Sequence, residues 1–199
     1  MKYTPQHLGR TSMTLLIGGL VLFLGIHSVS IFADRWRNDQ IAKLGVRTWK
    51  VLYSLISIAG LALMTLGYLE ARPQPIPIWS PPSWAWLITV YFSLVALILV
   101  AAAYVPRNAI KLKLKDPMLV GVIVWAICHL TTVGSLAGII LFSSFLLWGI
   151  LDLLSCRARR SALPPVIEKA SVVMTLVTIA VGVVAFLPFA HIAFGIVRS

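Results

Sequence analysis

Long apolar runs alternate with short polar segments along the whole chain. The runs lack the period-two alternation of a membrane β-strand, and most approach the roughly 20 residues that a helix needs to cross a bilayer. A helix also satisfies its own backbone hydrogen bonds inside the hydrocarbon. The pattern therefore predicts six hydrophobic helices, over residues 11–32, 51–69, 84–105, 117–130, 135–154 and 170–194.

The distribution of cations decides how residues 117–154 are divided, because they read either as one long helix or as two helices joined at residues 131–134. With six helices, the loops 33–50, 106–116 and 155–169 share one side and hold thirteen of the 17 Lys and Arg. One long helix would leave ten against seven. Cytoplasmic loops are enriched in Lys and Arg. The charges therefore favour six helices, a tight hairpin of the fourth and fifth, and both termini outside the cytoplasm.

Composition supports an integral membrane protein and excludes a soluble one. Of the 199 residues, 59% are hydrophobic and 12% are charged, and a soluble surface cannot accommodate that balance. The net charge of +11 lies in short loops rather than on one helical face. We therefore expect anionic lipid headgroups, and no nucleic acid, as its partners. The first run is longer than the h-region of a signal peptide, about 7 to 15 residues, and is expected to stay as the first helix of a single domain over residues 1–199.

The second predicted helix carries a face of mostly small residues. Its members recur at spacings of three and four, so they share one side of the helix. Small residues let two membrane helices approach closely. We expect a packing seam formed by Tyr53, Ser57, Gly60, Met64 and Gly67.

Two histidines lie inside predicted membrane helices, where a group that can be charged is expensive and needs a reason. His27 lies in the first helix, and His129 shares a helix face with Gly121 and Trp125, at spacings of four. The latter arrangement suits packing against a flat ring. Each histidine can also be interpreted as a polar brace between helices, and sequence alone leaves both interpretations open.

Haem b is the cofactor that this pair suits best, because haem iron accepts imidazole ligands in a low-dielectric bundle. The chain has no Cys-x-x-Cys-His, His-Glu-x-x-His or Glu-x-x-His spacing, so a zinc or di-iron site is not indicated. We predict His27 and His129 as metal ligands and Trp125 as a further cofactor-binding residue. Their depths along the helices differ, so a tilted ring or helix would be required.

The order of several short motifs is similar to the NnrU family over about residues 18–152. The most specific of them lies in the hairpin. The matching residues are Gly25-Ile26-His27-Ser28, Arg47-x-Trp49, Gly67-Tyr68, Pro117-Met118-Leu119, Trp125-Ala126, His129-Leu130, Gly134 and Leu141-Phe142. One departure is Lys115-Asp116-Pro117 where Arg-His-Pro is expected, so no ligand role is carried over to Asp116.

The resemblance implies a multi-pass protein of the bacterial inner membrane that is associated with nitrite and nitric oxide reduction. It also implies a relationship to zeta-carotene isomerase, which holds haem b through membrane histidines; the matching positions here are His27 and His129. Three functions follow as hypotheses. They are a haem-binding accessory protein of denitrification, a haem-dependent cis-trans isomerase of polyenes, and a non-catalytic membrane assembly factor. Whether the chain is an enzyme stays open at this point.

Overall fold

The computed structural model describes residues 5–161 and 169–198, with side chains described over residues 10–160 and 169–188 and at Ala190. Helices account for nearly all regular structure in these ranges, and a single β-bridge joins Pro77 to Ser135. The predicted all-α class is confirmed. The helices in the described ranges are α1 (Pro5–Phe32), α2 (Asp34–Leu44), α3 (Val46–Ala71), α4 (Ala85–Tyr104), α5 (Ala109–Leu114), α6 (Pro117–Leu130), α7 (Leu136–Ser161) and α8 (Val172–Arg198).

Four of the described helices are long and apolar enough to cross a membrane, which gives the chain the character of a helical membrane protein. The stretches that qualify are Arg10–Phe32, Val46–Ala71, Ala85–Tyr104 and Leu136–Arg160. Two further apolar stretches are shorter over the residues whose side chains are described, Pro117–Leu130 in α6 and Val172–Pro188 in α8. The count of six spans therefore stays a prediction.

Residues 117–154 do not form one helix, since α6 ends at Leu130 and α7 begins at Leu136. The last carbonyls of a helix have no partner within it and are often satisfied by nearby side chains. Here the hydroxyls of Thr131 and Thr132 donate to carbonyls in the last turn of α6, at 2.6 and 3.1 Å. These two bonds help to end α6 where the sequence predicts.

The chain is organised as two compact units. The first comprises Met1–Ser80 and Gly134–Ser144, and the second comprises Pro81–Val133 and Phe145–Ser199. The helix α7 contributes its first turns to one unit and its remainder to the other.

In the first unit α1 packs against α3 along the predicted seam, and Gly60, Met64 and Gly67 are buried there. The approach is close enough that backbones touch. A Cβ built on Gly60 would lie 2.6 Å from the backbone nitrogen of Phe23, and one on Gly67 would lie 2.7 Å from the Ser12 carbonyl oxygen. The packing prediction for this face is confirmed, because α1 covers it.

The second unit is built on α4, which packs against both α6 and α8. Small residues make these contacts possible as well. Gly121 of α6 lies against the Ala96 carbonyl, where a Cβ would be 2.9 Å from the oxygen, and Gly182 of α8 lies against Ile98, where a Cβ would be 2.6 Å from its Cα. Thr89 adds a hydrogen bond of 2.7 Å from its hydroxyl to the Cys128 carbonyl.

Two short helices occupy segments that the hydrophobic pattern assigns to loops. The polar helix α2 begins with Asp34, whose carboxylate lies 3.5 Å from Arg37, and ends at Gly45, which has a φ of +82°. The helix α5 begins after the fully buried Asn108, whose side chain accepts from the Lys111 backbone N–H at 2.7 Å. Both were missed because a search for apolar runs does not detect helices that depend on caps and local ion pairs.

Candidate functional site

His27 lies five residues before the end of α1 and is partly buried in the first unit. Its Nδ1 is 2.6 Å from the carbonyl oxygen of Phe23, one turn earlier. A carbonyl can only accept a hydrogen bond, so Nδ1 carries the proton and Nε2 carries the lone pair. The imidazole also stacks on the Phe23 ring, with centroids 4.3 Å apart, and lies 5.2 Å from the ring of Tyr53 on α3.

His129 lies in the last turn of α6 and is partly buried in the second unit. Its Nδ1 is 2.8 Å from the carbonyl oxygen of Trp125, again one turn earlier, so the same tautomer follows. The rings of Trp125 and His129 have centroids 5.2 Å apart. Phe145 of α7 meets the Trp125 ring edge-on, with centroids 5.4 Å apart. The predicted juxtaposition of Trp125 and His129 on one helix face is present.

The two histidines therefore share one local pattern, an aromatic residue four positions before an imidazole. In both cases the aromatic residue supplies the carbonyl that accepts from Nδ1 and a ring that contacts the imidazole. A second hydrogen bond of this kind orients the histidine and raises the basicity of the other nitrogen in metal sites. The sequence shows the spacing Phe23-x-x-x-His27 and Trp125-x-x-x-His129, but its meaning becomes visible only with the hydrogen bonds.

The partners from other helices were missed by sequence reasoning. Tyr53 was assigned to the packing seam, yet its ring faces His27. Phe145 was assigned no role, and its ring contacts that of Trp125. No local signal in the sequence indicates such contacts between helices, because they depend on which faces the helices turn toward one another.

A cavity of about 410 Å³ opens beside His27, between α1, α2 and α3. His27 and Tyr53 line the cavity, and Ser30 and Ser54 contribute hydroxyl groups to it. From α2, Arg37 and Ile41 also line the cavity. This volume lies within the range of about 300 to 1,000 Å³ that is typical of small-molecule sites.

The donor set of the described side chains suits an iron that brings most of its own ligands. The described residues contain no group of three or more His, Cys, Asp and Glu that could hold a metal ion. Haem iron takes four nitrogens from the porphyrin and needs only one or two ligands from the protein. A single neutral imidazole whose Nδ1 donates to a carbonyl is therefore a sufficient protein ligand, and the chain has one such histidine in each unit.

No curated protein and no solved structure matches the chain significantly. A family model described as "NnrU protein" matches residues 15–198, which is nearly the whole chain. The chain therefore belongs to the NnrU family.

Proposed function

We propose that this protein is a haem-binding accessory protein of nitrite and nitric oxide metabolism. Family membership and the two intramembrane histidines support this proposal. The observation that carries it is the hydrogen bond from Nδ1 to a carbonyl at both His27 and His129, which leaves Nε2 as the nitrogen with the lone pair. Each is proposed as a ligand of haem b, with Trp125 beside His129 as a further contact.

The chain's own contribution is to hold the imidazoles of His27 and His129 in fixed orientations. When bound, haem would supply an iron that binds nitric oxide or transfers electrons. The carbonyl of Phe23 and the stacked ring hold His27 in one orientation, and Trp125 does the same for His129. A preset imidazole does not need to reorganise in order to ligate.

We expect the protein purified in mild detergent from haem-replete cells to give a pyridine haemochrome spectrum of haem b. Removing an imidazole leaves a ligand position that glutamine does not fill. His27→Gln and His129→Gln should each weaken haem binding by about tenfold or more, on the scale seen for lost metal-site interactions. His7→Gln, near the N-terminal end of α1, is the matched control and should retain full haem content. Wild-type protein without haem would contradict the proposal, as would full haem retention in both glutamine variants.

The same variants separate a second candidate function. A non-catalytic assembly factor would use its histidines only to brace helices, and normal denitrification in cells that carry either glutamine variant would favour it. An isomerase would need space for a polyene between helices, and the small-residue face of α3 would be a place for it. The isomerase hypothesis has less support, because α1 covers that face.

We also propose six membrane spans in the bacterial inner membrane, with the basic loops in the cytoplasm, both termini in the periplasm and α6 and α7 as a tight hairpin. The uneven distribution of cations supports this topology. Three contacts in the second unit pair α6 with α7 in antiparallel order. They join Trp125 to Phe145, Ile123 to Gly149, and Asp116 to Arg160.

Topology reporters test the span count directly. A fluorescent protein that folds in the cytoplasm and an alkaline phosphatase that folds in the periplasm are fused, in separate strains, after Ser161 and after Ser199. We expect fluorescence only from the first position and phosphatase activity only from the second, because α8 would separate them. The same reporter active at both positions would rule out six spans.

A further inference from the structure

The cavity beside His27 is lined by aromatic rings and by two cationic side chains. Its walls come from three consecutive helices, α1, α2 and α3. The imidazole of His27 and the ring of Tyr53 line it, 5.2 Å apart between centroids. Lys50 lies one turn before Tyr53 on α3, about 4.5 Å along the axis at 1.5 Å per residue. Lys50 therefore lies nearer to the start of α3 than Tyr53 does.

Two cationic side chains line this cavity, Arg37 on α2 and Lys50 on α3. Arg37 reaches Asp34 at 3.5 Å, but both side chains are more than a third exposed, and such pairs contribute under about 1 kcal/mol. Across the residues whose side chains are described, the ammonium group of Lys50 makes no hydrogen bond or ion pair within the protein. Both charges can therefore turn to an anion in the cavity without breaking a strong interaction.

The charged side chains that line the cavity, apart from the titratable His27, are both cationic. Asp34 pairs with Arg37 from the same helix and is not part of the lining. Within the described lining there is no Asp or Glu. An occupant that matches this lining has an apolar body for the aromatic rings and an anionic edge for the two cations.

We propose that Arg37 and Lys50 bind the carboxylate edge of a haem whose iron is ligated by His27. This inference rests on the proposed function and adds the residues that would orient the ring. Arg37 offers a planar fork that suits a carboxylate, and Lys50 offers a point charge. Phosphate groups of anionic lipids are the alternative occupant of the two cations, and the experiment separates the two.

The experiment uses the full-length protein in a neutral detergent and titrates it with haem and with haem dimethyl ester, in which both carboxylates are neutral. Binding is followed by the Soret band. Wild-type protein should prefer haem over the ester by about tenfold or more, the order expected for charge-assisted hydrogen bonds. Arg37→Gln/Lys50→Gln should reduce that preference to within about twofold. The partitioning of the ester into detergent is common to all variants and cancels in the comparison.

Arg35→Gln/Lys43→Gln is the matched control, because it removes two cations from α2 that do not line the cavity. It should keep the wild-type preference. If Arg37→Gln/Lys50→Gln also keeps that preference, the inference is wrong while the proposed function stands. Binding of each variant to phosphatidylglycerol vesicles is measured as well. If Arg37→Gln/Lys50→Gln keeps the preference for haem but binds these vesicles more weakly than wild type, the two cations bind lipid and the inference is likewise overturned. Absence of haem binding by wild-type protein defeats both proposals.

Discussion

Replacing Gly19 with alanine is expected to lower the thermal stability of the protein in detergent more than any other single methyl addition in α1. A Cβ at this position would collide with the Met64 backbone nitrogen and would lie 2.7 Å from both the Gly60 carbonyl oxygen and the Met64 Cα. These are backbone atoms of α3, so no side chain can rotate away. The two helices must separate, at a cost of about 1 to 3 kcal/mol for an overpacked contact. Tryptophan fluorescence during heating measures the shift.

Gly18 provides the control, since it is adjacent in the same helix and an added Cβ would meet nothing within 4 Å. Gly18→Ala should leave stability within about 0.5 kcal/mol of wild type or raise it slightly, because alanine favours a helix over glycine. Equal losses at both positions would show that helix propensity, and not close packing, governs this segment. A stable Gly19→Ala would contradict the backbone contact itself.

Much of the fold follows from the order of apolar residues and their interruptions. The bounds of α6 are predicted to the residue, because Pro117 is favoured in the first turn of a helix and the apolar run stops at Thr131. The seam on α3 was equally predictable from the spacing of its small residues. Local rules of this kind need no knowledge of what surrounds the helix.

The elements that sequence reasoning missed depend on interactions between polar side chains. The helix α2 has no apolar stripe, and its signals are Asp34 in the first turn, Lys43 in the last and Gly45 beyond it. Asn108 is a similar case. Its amide donates to the carbonyls of Ala102 and Val105, at 2.9 and 2.6 Å, and its oxygen caps α5. These signals were present in the sequence, but a search led by hydropathy passes over them.

The candidate site was predictable only in part. His27, His129 and Trp125 stand out in sequence because polar and aromatic groups within membrane helices invite explanation. The ring of Tyr53 beside His27 and that of Phe145 beside Trp125 depend on the rotation of one helix against another. The same holds for the cations Arg37 and Lys50, which come from two helices and meet at one cavity. Such relations arise from tertiary packing, which no local spacing encodes.

Asp116 was given no functional role from sequence, and the structure indicates a structural one. Both of its carboxylate oxygens accept from the Arg160 guanidinium, at 2.8 and 2.6 Å. This two-bond geometry is among the stronger side-chain interactions, and the Asp116 side chain is only 16% exposed. The carboxylate also precedes the first turn of α6, where a negative charge is favoured by the helix dipole. We infer that the pair holds the start of α6 against the end of α7.

Arg160→Gln is therefore expected to cost about 1 to 2 kcal/mol of unfolding free energy, below the figure for a fully buried pair because Arg160 is 40% exposed. Asp116→Asn should cost a similar amount, and the double variant little more than either, since the second change removes a partner already lost. Arg159→Gln is the control. The Arg159 guanidinium contacts Ser155, Cys156 and Asp152 on its own helix, and the side chain is 43% exposed, so its loss should cost under about 0.5 kcal/mol. Additive losses at Asp116 and Arg160 would mean that each residue acts alone. If the double variant instead costs no more than either single variant, the contact between the start of α6 and the end of α7 depends on the ion pair of Asp116 and Arg160, two residues 44 positions apart in the chain.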